Sequence, residues 1–330
     1  MISLHASELR RYRMAVLPTD RVIQTASWHF RLADVPTEIR SEIRNLHRLR
    51  PAANLVVLLF PAAWIIAIAL MRRWPLLPVR IVGIVIIGLC IQAMAILMHE
   101  ALHGNLFRRR TLDQWSGFLL AVPAFFSMAA YEVAHLNHHR HTRTEKDQDE
   151  ISNLCRTHAQ YVVLYYSWFL VGTFLYMFIV PWKALGIASP KGRKRIFIEY
   201  SLMLFLYAAV VFTAISSGHL WWLLLYWLIP AQIATALSNV RGLAEHLGTP
   251  GEGDAIARTR TVTSNGLVSF LMLNLNYHLE HHLFPAVPWY NLPRIHQLLK
   301  PIYAQRQPEI RQSYTSYAIK CFREGPERVF

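Results

Sequence analysis

Residues 135–139 read His135-Leu136-Asn137-His138-His139, residues 278–282 read His278-Leu279-Glu280-His281-His282, and residues 99–103 read His99-Glu100-Ala101-Leu102-His103. The first two stretches place imidazoles at i, i+3 and i+4, and the third at i and i+4. On a helix those spacings gather the rings of each cluster on one face. Eight convergent imidazoles exceed what one tetrahedral ion can use. Two metal ions sharing an all-nitrogen cage is the economical account. Imidazole suits iron, copper, nickel and zinc alike, so the ligand set alone does not name the metal.

Around these clusters the chain is apolar. Of its 330 residues 54% are hydrophobic, a composition that points to a polytopic membrane protein. The net charge of +14 suits cytoplasmic segments and anionic headgroups, and no nucleic-acid-binding motif accompanies it. Cys90, Cys155 and Cys321 lack metal-type spacing and imply no disulfide framework. The first 50 residues carry nine arginines and no short apolar segment. They read as a basic cytoplasmic or interfacial arm without a cleavable signal peptide.

Six apolar stretches compete for the membrane: Asn54–Met71, Ile81–Met98, Trp115–Tyr131, Tyr161–Trp182, Phe197–Ser216 and Leu220–Leu237. If all three clusters serve one centre, an even number of crossings must separate each pair. That parity selects 54–98 and 197–238 as two transmembrane hairpins. It leaves Trp115–Tyr131 and Tyr161–Trp182 re-entrant or in the interface plane. The expected fold is an all-α integral membrane protein with four transmembrane helices in two hairpins, plus interfacial helices. A cytoplasmic histidine-rich cap formed by 99–160 and 241–330 completes a single domain spanning 1–330. The run Lys191-Gly192-Arg193-Lys194-Arg195 reads as a topology signal, while Arg72, Arg73 and Arg80 fall on an outside turn, against the usual charge bias.

The three boxes, in this order and in a membrane chain, resemble the membrane fatty-acid desaturase superfamily. That superfamily includes acyl-lipid and sphingolipid desaturases with related carotenoid hydroxylases and ketolases. The resemblance covers roughly residues 54–295. It extends to His282-Leu283-Phe284-Pro285, to Pro288-Trp289-Tyr290-Asn291-Leu292-Pro293 and to Asp147-Gln148-Asp149. It implies a non-haem di-iron centre that activates molecular oxygen. The implied ligands are His99, His103, His135, His138, His139, His278, His281 and His282. A ninth, His246, follows the second hairpin in Arg241-Gly242-Leu243-Ala244-Glu245-His246. Some relatives carry an asparagine four residues before that histidine. Gly242 stands there, and Asn239 lies about two turns back. The resemblance also implies a lipid or acyl-chain substrate and an external electron donor, such as ferredoxin with its reductase. The expected location is a bacterial inner membrane with the metal site on the cytoplasmic face.

Glu100, Asp147, Asp149, Glu245 and Glu280 are placed in sequence to orient ligand rings through their second nitrogens. His5, His29, His47, His158, His219 and His296 stand apart from the boxes and read as ordinary surface or interface residues, with His141 intermediate. Trp221, Trp222 and the aromatics of Tyr161–Trp182 read chiefly as interface anchors. Other readings remain open. Box one also spells H-E-x-x-H, the zinc metalloprotease helix, which leaves two three-histidine boxes unexplained. A metal transporter would place its ionisable residues along the membrane path, whereas these boxes flank the apolar stretches. Between desaturation and hydroxylation or ketolation the boxes do not discriminate, because both begin with C–H abstraction.

Overall fold

The structure is a computed structural model in which residues 35–107, 109–249 and 252–325 are described. Expectations for residues 1–34, including His5, His29 and most of the basic arm, lie outside the described residues. The described chain is almost wholly helical, with a single two-residue parallel pairing of β1 (Thr261–Val262) and β2 (Ile310–Arg311). After a short helix α1 (Thr37–Leu46) come α2 (Val56–Arg73) and α3 (Leu77–Leu102), then α4 (Arg110–Ala121), α5 (Met128–His141), α6 (His158–Ile187) and α7 (Pro190–Ser216). The helix α8 (Leu220–His246) follows, with a π-helical turn over Leu224–Leu228. Five shorter helices complete the described residues: α9 (Ala255–Arg258), α10 (Gly266–Leu271), α11 (His278–Leu283), α12 (Leu292–Arg306) and α13 (Tyr314–Glu324).

Four segments are long and apolar enough to cross a membrane: Ala52–Arg73, Leu77–Leu102, Pro190–Ser216 and Leu220–His246. They are the four expected from parity. Large apolar side chains on them point away from the protein, as lipid contact requires: Leu58 is 66% exposed, Phe205 71% and Phe212 72%. Two of the segments run further than hydropathy indicated. The second continues through His99 to Leu102, and the fourth through Arg241 to His246, nine residues past Leu237. Both helices therefore deliver ligands from their own ends, and the cap begins inside the helices rather than after them.

The other two apolar stretches are bent. Arg110–Ala124 meets Met128–His141 at 96°, and His158–Phe169 meets Phe174–Ile187 at 119°. Arms of about 12–15 residues are about 18–22 Å long at 1.5 Å per residue. That is short of the ~30 Å of hydrocarbon. The first bend falls at Pro123 and at Phe125, whose φ is +65°. The second falls at Val171, which leaves helical geometry.

The helix α3 is the axis of the molecule, buried almost continuously from Cys90 to Leu102. It packs closely against α8. A Cβ on Gly88 would lie 3.0 Å from Ile233 and from the Pro230 carbonyl oxygen, so only glycine admits this approach. Box two is held from behind by charge. Glu199 of α7 accepts hydrogen bonds from Ser127 Oγ at 2.7 Å and from the Ala129 amide at 2.8 Å, capping α5. Glu132 of α5 pairs with Arg110 and, at 2.6 Å, with Arg195. The basic run 191–195 thus contributes Arg195 to an internal clamp, while Lys191, Arg193 and Lys194 stay exposed. At the opposite end, Arg72 lies 4.5 Å from the centre of the Trp222 ring. This pairing gives Arg72, in the last turn of α2, a partner.

Candidate metal centre

Box one sits at the last turn of α3, box two on α5, box three on α11, and His246 closes α8. Their rings converge in two adjoining groups. His99, His103, His135, His139 and His281 form one, and His138, His246, His278 and His282 the other. Within each group the candidate ligand nitrogens all lie within 4.8 Å of one another. The grouping does not follow the boxes. Box two gives two rings to the first group and one to the second, and box three gives one and two. The i, i+4 pairs His99/His103, His135/His139 and His278/His282 stay together, while the i+3 ring of box two or three crosses to the other group. Spacing alone could not show this interleaving, because it fixes which face a ring occupies but not which partner it meets.

The contacts between rings fit ions better than hydrogen bonds. Nε2 of His135 lies 2.9 Å from both His99 Nε2 and His139 Nε2, and His139 Nε2 is 3.1 Å from His281 Nε2. In the second group, His278 Nε2 is 2.8 Å from His246 Nε2 and 3.1 Å from His282 Nε2. One ring nitrogen cannot be protonated toward two such neighbours at once. Nitrogens about 2.1 Å from a common ion and at right angles to each other lie about 3.0 Å apart. The donor set therefore suits two nitrogen-ligated ions, and the Nε2 face of the rings would hold them. Burial, reinforced by neighbouring rings, holds His278, His281 and His282 well below the ordinary histidine range. His103 is pushed down to about 3 by burial and by Arg110. Neutral rings with free lone pairs are the form a metal needs.

Carboxylates approach several of the outer nitrogens. Asp147 sits 2.9 Å from His138 Nδ1, Glu245 3.4 Å from His278 Nδ1, Glu100 3.6 Å from His99 Nδ1 and Asp149 3.7 Å from His135 Nδ1. Only Asp147 makes a hydrogen bond by distance and geometry. Burial disfavours the charged form of His138, but Asp147 more than offsets it, and the ring is raised to about 9. Glu280 turns elsewhere. It accepts hydrogen bonds from Tyr303 at 2.8 Å and from Thr261, and it lies 2.6 Å from His296 Nδ1. His296 is therefore buried against the back of box three and not a surface residue. His47 is also buried, 2.8 Å from the Ile43 carbonyl oxygen. His219 stacks on Trp222, and His141 and His158 belong to neither group.

A cavity of about 210 Å³ opens against both groups, reaching His99, His135, His138, His246 and His278. Its far wall is Ile91, Ile96, Phe126, Trp168 and Ala234, from α3, α6, α8 and the loop before α5. Gly242 lines it, and a Cβ there would meet nothing within 4 Å. Asn239 donates to the Trp168 carbonyl oxygen at 2.7 Å, which ties α8 to the bend of α6 and directs its amide to the backbone. Arg241, Gln92 and Tyr131, which stacks on His135, also line the cavity. None stood out in sequence. The sole signal was the position of Arg241 one helical turn before Glu245.

Comparison with known proteins agrees with this geometry. The chain is 24% identical to the sn-1 oleoyl-lipid 12-desaturase of Arthrospira platensis over 241 residues, 66% of this chain and 67% of the relative. It is 28% identical over 208 residues to a beta-carotene ketolase of Paracoccus sp. (strain PC1), covering 60% and 72% of the two chains. It is 26% identical over 223 residues to a sphingolipid delta(4)-desaturase of Drosophila melanogaster, covering 66% and 64%. Residues 73–314, which contain all three boxes and His246, match the fatty acid desaturase family, and the chain belongs to that family.

Proposed function

We propose that the protein is an integral-membrane oxidoreductase that introduces a double bond into a fatty-acyl or related lipid chain, using molecular oxygen and two histidine-ligated irons. The observation that carries this reading is the meeting of two groups of five and four histidines with a cavity walled by membrane helices. Bound iron supplies the oxidising power that abstraction of hydrogen from an unactivated methylene demands and that no side chain provides. The protein's own residues position and exclude. His138 Nδ1–H donates to Asp147, which fixes that ring's orientation. Tyr131 lies flat on His135 with an interplanar angle of 13°. Ile91, Ile96 and Trp168 present apolar surface to a chain and keep bulk water from the far end.

A hydroxylase or ketolase is the second reading, favoured by the likeness to a beta-carotene ketolase. We place the site on the cytoplasmic face of a bacterial inner membrane. There an external donor of the ferredoxin type, with its reductase, delivers two electrons per turnover to the cap. Mass spectrometry of lipids after expression in a lipid-rich host decides between the readings. Loss of a hydrogen molecule's mass supports desaturation, gain of an oxygen atom's mass supports hydroxylation, gain of an oxygen atom with loss of a hydrogen molecule supports ketolation, and unchanged lipids with zinc in the purified protein overturn all of these.

A further inference from the structure

The cavity beside the metal centre is not a plain hydrocarbon slot. Arg241, on the last two turns of α8, lines it with a side chain only 15% exposed. Its Nε and Nη1 are buried and find no hydrogen-bond partner among the described residues. The nearest carboxylate, Glu245, stands 3.7 Å from Nη1. That gap is too long for a hydrogen bond. Other arginines of this chain reach hydrogen-bonding distance of their carboxylates: Arg195 to Glu132 at 2.6 Å and Arg260 to Glu309 at 2.8 Å. A lone counter-ion role for Arg241 would predict the same closure. Gln92, on α3, lines the same cavity, is 3% exposed, and its Nε2 is also without a partner. Donors left unpaired in a buried site cost more than they return unless something accepts from them.

We propose that Arg241, with Gln92 beside the same cavity, binds a neutral oxygen function of the substrate, a hydroxyl or carbonyl carried within a few bonds of the reacting carbons. This rests on the reading of the site as a lipid-oxidising centre and narrows it. Charge selects the neutral class. Asp147, Asp149, Glu150 and Glu245 line the cavity as well and outnumber its two arginines, Arg241 and the Arg143 that pairs with Glu150, so a carboxylate or phosphate entering it meets an acidic excess. A hydroxyl or carbonyl accepts from the guanidinium without adding charge. An unsubstituted methylene run leaves both donors bare, so the site discriminates against it.

Binding, not turnover, tests this. The full-length, metal-loaded protein is placed in lipid nanodiscs under anaerobic conditions with a fluorescent polyene hydrocarbon in the cavity. Octadecane and a series of octadecanols, hydroxylated at the terminus or along the chain, then compete for it, with empty nanodiscs correcting for partition. The readout is the ratio of affinities, because a merely structural role for Arg241 lowers both in parallel. The native protein is expected to prefer at least one octadecanol by about tenfold, the discrimination of one charge-assisted hydrogen bond. Arg241→Met is expected to erase that preference. Arg241→Lys, which keeps the charge beside Glu245 but shortens the reach, is expected to cut it at least about threefold, and it carries the test alone if Arg241→Met does not fold. A native protein without preference, or a preference that survives in these variants, overturns the proposal and leaves the lipid reading standing. Failure of every chain to compete overturns the lipid reading and the proposal with it.

Discussion

Replacing Asp147 by asparagine should separate the two ion sites. Asp147 Oδ1 and Oδ2 lie 2.9 and 3.0 Å from His138 Nδ1, and His138 is the only ring of box two in the four-histidine group. Removing the carboxylate behind a ligating histidine lowers metal affinity about 10–100-fold, or about 1.4–2.7 kcal/mol. No ring of the five-histidine group touches Asp147, so that group should keep its ion. Asp149→Asn is the control: at 3.7 Å from His135 Nδ1 there is no hydrogen bond to lose, and the effect should fall below about tenfold. The assay is anaerobic titration of the metal-free protein with ferrous iron against chelators of graded strength, counting ions per chain. The native protein should hold two ions through the series, and Asp147→Asn should lose one and keep one. Protons report on the same contact. With the ring raised to about 9, metal-free His138 is protonated at neutral pH, and the ion must displace that proton. Affinity at the second group should therefore rise with pH toward 9 and fall below it, and Asp147→Asn should move this dependence to lower pH. Simultaneous loss of both ions, or retention of both with native affinity, would refute the reasoning.

Three further outcomes follow from the geometry. His246→Ala removes one of four rings in the second group; product formation should disappear while the protein still inserts and retains about one ion per chain by elemental analysis, and near-native turnover would remove His246 from the centre. Gly88→Val drives a side chain into Ile233 and the Pro230 carbonyl oxygen, both 3.0 Å from the first added carbon; the overpacking should cost about 1–3 kcal/mol, read as a lower melting temperature in detergent, and an unchanged value would show that α3 and α8 can part freely. Cysteines placed at Glu145 and at Ser217 should label from opposite faces of the membrane; labelling from the same face would break the two-hairpin topology.

The transmembrane framework was legible because hydropathy marks spans and because a shared site imposes parity. That argument overruled the apolar character of Tyr161–Trp182, which hydropathy alone takes for a span and which the structure bends by 119°. The gathering of the histidines was legible in composition, since those that meet are the ones of the boxes and His246. Their pairing was not. Which ring joins which group depends on the angles at which α3, α5, α8 and α11 meet, and those are set by contacts such as Gly88 on Ile233 and Glu199 on the start of α5. Glu280 misled for a similar reason: its place inside box three says nothing of its direction, and its oxygens face Tyr303 and His296. Arg241 was hidden because a lone arginine near a helix end in a basic chain looks like any other. Only the cavity it lines gives it meaning.

The crossing of rings between boxes bears on how the protein can be assembled. The first group draws on α3, α5 and α11, and the second on α5, α8 and α11. No segment of the nascent chain can complete a site, since even His139 and His281, neighbours at 3.1 Å, are 142 positions apart. An ion in the first group would tie the first hairpin to α5 and α11, and an ion in the second group would tie the second hairpin to the same two helices, so the ligands join both hairpins only when both places are filled. Capture of two ions would then report that both hairpins have inserted and found each other. A chain that inserts wrongly offers only pairs and triplets of imidazole, fewer than the five and four that the folded groups bring together. A metal centre of this composition would thereby be withheld until the walls that contain it are in place.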